Sequence, residues 1–254
     1  MEDSKTRFSA RADDYKKFRP TYPPDLIEFI RENCPVKENW SIADIGSGTG
    51  ISTKLLLDGF KCSVYAVEPN SDMQKAAKES LQDNPLFHCV NGCAESTCLP
   101  DKTIDIVTAF QAFHWFDKPK AKIEFWRILK QPKWVLFVWN DRATKGKPFL
   151  EAYEELLHSM PEYCKVSHKN ISSDLVAGFL GDKDMKTAHF PQFQVFNFEG
   201  LKGRLFSSSY TPKEGTEDRL KVTAKLKELF DIYNTGGMVR MEYRTDVYIG
   251  RLHL

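Results

Sequence analysis

Short apolar runs alternate with helix-spaced patterns from residue 41 to residue 139. Ser41–Ile45, Ser63–Val67, Phe87–Asn91, Ile104–Phe110 and Val135–Trp139 each read as a strand. Ile104–Phe110 is nearly all apolar, as a strand covered on both faces requires. Between the strands, the spacing predicts helices over 51–59, from 71 to 81 and over 118–130. The last carries its apolar positions at Ile123, Trp126, Ile128 and Leu129. Ser71 with Gln74 three residues on has the form of a capping box. Five such units in a row predict an α/β fold with a parallel, doubly wound sheet and right-handed crossovers.

The flanks are less regular. Pro23 and Pro24 open an expected helix over Asp25–Glu32, with Leu26, Ile27, Phe29 and Ile30 on its apolar face. Residues 147 to 190 read as helical and irregular, an insertion over the sheet edge. Gln192–Phe198 alternates like a strand, and Thr216–Tyr233 has helical spacing at Leu220, Leu226, Leu229 and Phe230. Val239–Tyr243 and Thr245–Arg251 alternate again, as a terminal strand or a hairpin. Late strands after a parallel half suggest an antiparallel closing pair. The expected organisation is a single domain. Residues 1–40 form a cap segment, 41–140 a ligand-binding core, 141–190 a lid-like insertion and 191–254 the closing strands and helix.

Composition narrows the class. Of 254 residues, 41% are hydrophobic, enough for a buried core. The net charge of +1 offers no global field toward nucleic acid, anionic membrane or acidic ligands. No apolar run approaches the roughly 18 residues that span a bilayer, and the first ten lack a secretory pattern. Six cysteines, Cys34, Cys62, Cys89, Cys93, Cys98 and Cys164, form no CxxC pair. Reduced thiols of a cytoplasmic protein are expected, and no metal site.

The chemistry concentrates in Asp44-Ile45-Gly46-Ser47-Gly48-Thr49-Gly50, which follows a strand and opens a helix. Glycines there permit a tight turn and let a ligand approach the backbone. Glu68 ends the next strand 18 residues after Gly50, where an acid grips ribose hydroxyls in adenosine-binding folds. A dinucleotide fingerprint would need glycine at position 51, where Ile51 stands, and no Gly-Lys-Ser/Thr of a P-loop exists. Asp44 would repel a pyrophosphate, yet it could accept from an ammonium group.

These residues resemble motif I of class I S-adenosylmethionine-dependent methyltransferases. Val67-Glu68-Pro69-Asn70 with Met73 resembles their second-strand acid and adenine-packing residue. Gly92–Pro100 resembles the loop at the adenine edge, and Gln111–Phe116 the loop beside the sulfonium. The His114-Trp115 pair, Phe8…Tyr15…Arg19-Pro20…Tyr22-Pro23 and Tyr243–Tyr248 look like the methyltransferase type 11 group. Within it they are most like its trans-aconitate-methyltransferase-like, small-molecule branch. The resemblance implies a Rossmann-like fold with a mostly parallel seven-stranded sheet, an antiparallel C-terminal strand and a helical lid insertion.

It also implies roles. Gly46, Ser47, Gly48 and Gly50 line the methionine part of S-adenosyl-L-methionine (S-adenosyl-L-homocysteine after transfer), and Asp44 orders that loop. Glu68 binds the ribose, Asn70 and Met73 flank the adenine, and Ala94 and Glu95 lie at its amino edge. Gln111 lies near the methionine part, and Tyr15 and Tyr22 close over the cofactor. Plainer roles stay open: Met73 as core, Glu95 as a solvated acid, Tyr15 as a surface aromatic and His114 as a structural histidine.

His114 is the candidate to orient or deprotonate the acceptor, with Phe113 and Trp115 walling the pocket. Phe149, Tyr153, Phe179 and Phe190 are candidates to line a lid. The expected acceptor is a small molecule, methylated on a carboxylate or a hydroxyl. Nucleic acid and membrane are not expected as partners, and a monomer or weak dimer is. A nicotinamide-dependent oxidoreductase and an inactive binding module are the competing readings.

Overall fold

The computed structural model describes residues 17–165 and 171–254. Seven strands form one sheet: β1 (Ser41–Ile45), β2 (Ser63–Val67), β3 (Phe87–Val90), β4 (Ile104–Phe110), β5 (Leu129–Arg142), β6 (Lys186–Phe196) and β7 (Val239–Arg251). Their order is β3-β2-β1-β4-β5-β7-β6. The first five run parallel, and β7 lies antiparallel to both β5 and β6. The helices are α1 (Asp25–Asn33), α2 (Ile51–Phe60), α3 (Ser71–Leu81), α4 (Lys118–Ile128), α5 (Pro148–His158), α6 (Pro161–Lys165), α7 (Ser173–Leu180), α8 (Phe198–Phe206) and α9 (Glu217–Tyr233).

Alternation along β1 divides the interior. Ile42 packs with α1 and α2 through Leu26, Ile30, Leu56 and Leu57 on one face of the sheet. Ala43 and Ile45 pack with Phe125 of α4 and with Val176 and Leu180 of α7 on the other. Strands β5 and β7, 14 and 13 residues long, outrun the five residues of β1. A third apolar cluster gathers around the distal part of β7. There Val239, Met241 and Tyr243 meet α5, α8 and α9. A helical layer therefore overhangs the carboxyl ends of the parallel strands.

The structure corrects several readings. The cap of α3 is Asn70, whose Oδ1 accepts from the N–H groups of Asp72 and Met73, both at 3.0 Å, not the capping box at Ser71. Helix α4 buries Ala121, Glu124, Phe125 and Ile128, while Ile123 is 66% exposed. The i, i+3, i+4, i+7 stripe thus starts at Ala121, a residue too small to mark it in the sequence. Helix α8 was not expected. Strand β6 begins at Lys186, not Gln192, and of the two readings of 239–251 the single strand, β7, is the one formed. Among the described residues no helix is long and apolar enough to cross a membrane.

Candidate functional site

The order of the strands reverses between β1 and β4, and ligands of open α/β sheets bind outside the carboxyl ends at such a reversal. The turn after β1 lies there. Gly46 and Ser47 donate their N–H groups to Val67 O at 2.8 and 3.2 Å, which ties the turn to the end of β2. Gly46, Gly48 and Gly50 all have positive φ, +70°, +56° and +85°. Their surroundings differ. A Cβ at Gly46 would meet Ala112 Cβ at 2.6 Å, and one at Gly50 would meet Leu81 Cδ1 at 2.9 Å. A Cβ at Gly48 would meet nothing within 4 Å. Gly48 opens onto empty space, whereas Gly46 and Gly50 give room to β4's loop and to α3. Gly50 lines neither cavity and packs against α3, which corrects its expected ligand role.

Asp44 is fully buried and accepts from Ser52 Oγ and Thr53 Oγ1 at 2.7 Å and from Thr108 Oγ1 at 3.1 Å. Burial pushes its carboxyl upward, and these hydroxyls pull against that. With its oxygens committed to α2 and β4 it lines neither cavity, so it orders the turn and is not an ammonium acceptor. Glu68 is 8% exposed and does reach the space beside the turn. Its Oε2 accepts from Gly48 N–H at 3.0 Å and its Oε1 from Asn70 N–H at 2.9 Å. Burial raises its carboxyl above the usual range, those two N–H groups lower it, and the charge of Asp44 raises it further.

Two cavities flank the turn. The first, about 840 Å³ of empty space open to solvent, is lined by Glu68, Met73, Cys93, Ala94 and Glu95 along one side and by Trp115 and Phe116 on the other. Glu95 also fixes the loop before α4, accepting from Asp117 N–H at 2.7 Å. Asn70 is absent from the lining because its side chain caps α3, so it positions Glu68's neighbours rather than flanking a base. The second cavity, about 1170 Å³, lies under the helical layer. Ser47, Tyr22, His114 and Trp115 line it, and Tyr22 packs edge-on against Phe110 at 4.8 Å between ring centres. Gly46, Gly48, Phe110, Gln111 and Trp115 line both cavities and form their common wall. Gln111, at φ +56°, anchors that wall by donating from Nε2 to Asn140 O at 2.9 Å.

Not every expected pocket residue is there. Phe113 is 1% exposed and stacks on Phe137 at 4.3 Å, so it belongs to the core and not to the pocket wall. Phe149 and Tyr153 pack in the helical layer, Phe179 against the sheet and Phe190 against Phe29, and none lines a lid. Tyr15 lies outside the described residues. His114 stands where the sequence placed it, edge-on to Trp139 at 4.9 Å and tilted against Trp115 at 4.6 Å. The sequence reading missed the far side of the second cavity: Asn140, Asp141 and Arg142 at the end of β5, Tyr163 of α6, Arg204 of α8, Tyr210, and Tyr243 of β7 as a lining residue. A polar Asn-Asp-Arg run ending a buried strand was the available signal.

The first cavity fits the adenosyl end of S-adenosylmethionine: a carboxylate at its edge for two hydroxyls, a Met and aromatic rings for a flat base, and an open Gly48. Residues 43–137 match the methyltransferase domain family. An uncharacterised methyltransferase of Schizosaccharomyces pombe is 28% identical over 219 residues, covering 85% of this chain and 84% of that one. One from Geobacillus sp. (strain WCH70) is 32% identical over 167 residues, 61% of this chain and 77% of that one. The solved structure of a putative type II methyltransferase from Anaeromyxobacter dehalogenans shares the fold, with a TM-score of 0.63 at 22% identity over 93% of this chain and all of that one. These findings set the nicotinamide reading aside. The chain belongs to the methyltransferase family and is an enzyme of the class whose methyl donor is S-adenosylmethionine.

Proposed function

We propose that the enzyme methylates a small molecule bound in the second cavity, on a carboxylate or a hydroxyl, with the donor seated in the first. The observation that carries this is the common wall. Gly46, Gly48, Phe110, Gln111 and Trp115 border both spaces, so molecules in the two would meet there. When bound, the donor supplies a methyl group on a sulfonium, and the acceptor's lone pair displaces a neutral thioether in line.

The protein's own residues supply placement, which accounts for much of the rate gain in such a displacement. The turn 46–50 and Glu68 set the depth of the donor. Gln111 and Trp115 fix the wall at the transfer point. His114 faces the acceptor side. For a hydroxyl acceptor it takes the departing proton; for a carboxylate it orients the oxygen. The segment bearing Arg19, Pro20 and Tyr22, together with Tyr163 of α6, borders the acceptor cavity and serves as the lid that excludes water. A near-neutral charge disfavours nucleic acid as the acceptor, and a cytoplasmic monomer or weak dimer suits this design.

The test is incubation with tritiated S-adenosylmethionine and a cell extract split into small-molecule, nucleic-acid and protein fractions. Label should enter the small-molecule fraction. Label confined to nucleic acid or protein would overturn the proposal.

A further inference from the structure

The second cavity holds a buried cation that no carboxylate among the described residues pairs with. Arg204 lines it from α8 and is 7% exposed. Its Nε donates to Tyr243 Oη at 3.0 Å, and Nη1 lies 3.4 Å from Ser208 Oγ. Tyr243 Oη in turn donates to Met241 Sδ at 2.9 Å, which fixes the ring that holds the guanidinium. Among the described residues no carboxylate pairs with Arg204. Burial opposes its charge, and the surrounding hydroxyls of Tyr243, Tyr153 and Tyr210 hold it above its ordinary value.

The neighbouring cations are differently placed. Arg142 pairs with Glu154, which also accepts from Tyr163 Oη at 2.9 Å and lies 3.3 Å from His158 Nε2. That pair is neutral. Arg19 donates from Nη2 to Ser207 O and Ser208 Oγ, both at 3.3 Å. Asp141 is the one carboxylate in the lining, and Arg244 feels its charge. A buried charge is costly unless paired, so an unpaired guanidinium facing a cavity is a built receptor for an anion. Arg204 borders the second cavity and not the first.

Resting on the reading of the second cavity as the acceptor site, we infer that the acceptor is a carboxylic acid whose carboxylate docks on Arg204, framed by Tyr243, Tyr210 and Ser209. A buried guanidinium with no carboxylate beside it among the described residues matches the single charge and paired oxygens of a carboxylate. A phosphate monoester carries nearly two charges and would call on Arg142 as well, which Glu154 already neutralises. A planar guanidinium can present two parallel N–H groups to a carboxylate, and the bond to Tyr243 Oη holds this one in place.

The experiment divides a metabolite extract by charge at pH 7 into cationic, neutral and anionic pools. The anionic pool is compared before and after phosphatase treatment. Each is incubated with the full-length protein and tritiated S-adenosylmethionine. Label should enter phosphatase-insensitive anions. R204Q should lower the rate at limiting extract about 10- to 100-fold, recover partly at high extract, and bind S-adenosylhomocysteine like the wild type by calorimetry. R204K should retain more of the rate than R204Q. Y243F, which keeps the guanidinium charge and loses the bond that orients it together with the contact to Met241 Sδ, should raise the apparent KM several-fold without weakening S-adenosylhomocysteine.

Label confined to cationic, neutral or phosphatase-sensitive compounds would overturn the inference. So would an R204Q or Y243F enzyme with the wild-type rate at limiting extract, or one in which S-adenosylhomocysteine is weakened instead. A wild-type protein that binds no S-adenosylhomocysteine, or labels no pool, defeats the underlying reading of the function, and this inference falls with it.

Discussion

Replacing Glu68 with Gln tests the donor site at its most exacting point. In the free protein both carboxylate oxygens accept backbone N–H groups, from Gly48 at 3.0 Å and Asn70 at 2.9 Å. A glutamine offers one oxygen and one NH2, so one of those N–H groups would face a donor. An unmet buried donor costs about 1–2 kcal/mol, which in a chain of this size lowers Tm by about 3–6 °C. The ligand loses more. Hydrogen bonds to a charged acceptor contribute about 1.5–3 kcal/mol, so S-adenosylhomocysteine should bind about 10- to 100-fold more weakly. Titration calorimetry reads the affinity and a thermal melt reads the stability.

Acidity gives the same prediction a second axis. Burial raises the Glu68 carboxyl, the N–H groups of Asn70 and Gly48 oppose this, and Asp44 adds to it. The ionised form accepts from both ribose hydroxyls; the protonated form turns one oxygen into a donor. Affinity is therefore full above the raised value and falls as pH drops through it, beginning at a higher pH than an ordinary glutamate would give. E68Q should flatten that fall. Wild-type affinity in E68Q, or an unchanged acid fall, would refute the assignment of Glu68 as the ribose acceptor.

Gly46→Ala should cost about 1–2 kcal/mol for the left-handed backbone alone, plus the displacement of Ala112, whose Cβ stands 2.6 Å from the new methyl. A Tm lowered by about 5 °C with weaker S-adenosylhomocysteine binding is expected, and a neutral G46A would contradict the packing. Phe113→Ala removes a ring stacked on Phe137 at 4.3 Å and should cost about 3–5 kcal/mol of stability, read by denaturant melts, with donor affinity intact below the transition. His114→Ala should leave donor affinity and fold in place and lower transfer to a hydroxyl acceptor about 100-fold or more. Unchanged turnover removes its role as base or orienter.

The lining of the first cavity was legible because its information is local. The turn at 46–50, the acid at 68 and Gln111 each follow directly on a strand of the parallel sheet, and the loop at 94–95 comes a few residues after β3. Period-2 and period-3.6 patterns fixed where those strands end. The errors in this part of the chain are also local. Asn70 and Ser71 are both good cap residues one position apart, and only the geometry shows that Asn70 Oδ1 takes the N–H groups. Phe113 and His114 are adjacent, and a single 3₁₀ turn over Phe113–Trp115 sends one ring into the core and the other into the cavity.

The far side of the second cavity was illegible for the opposite reason. Its lining comes from the end of β5, from α6, from α8 and from β7, elements up to a hundred residues apart that meet only once the helical layer has packed. In sequence Arg204 is one cation of 36, on a short helix whose Asn197 cap alone does not mark it out. Nothing in its neighbours says that Tyr243, 39 residues on, will supply the hydroxyl for its Nε. Aromatic residues misled as well, since Phe149, Tyr153 and Phe179 look like pocket wall in the sequence, whereas the first two hold up the helical layer and Phe179 packs against the sheet. The far side of the second cavity is therefore readable only in the tertiary placement of Arg204 and its tyrosines, not in any motif.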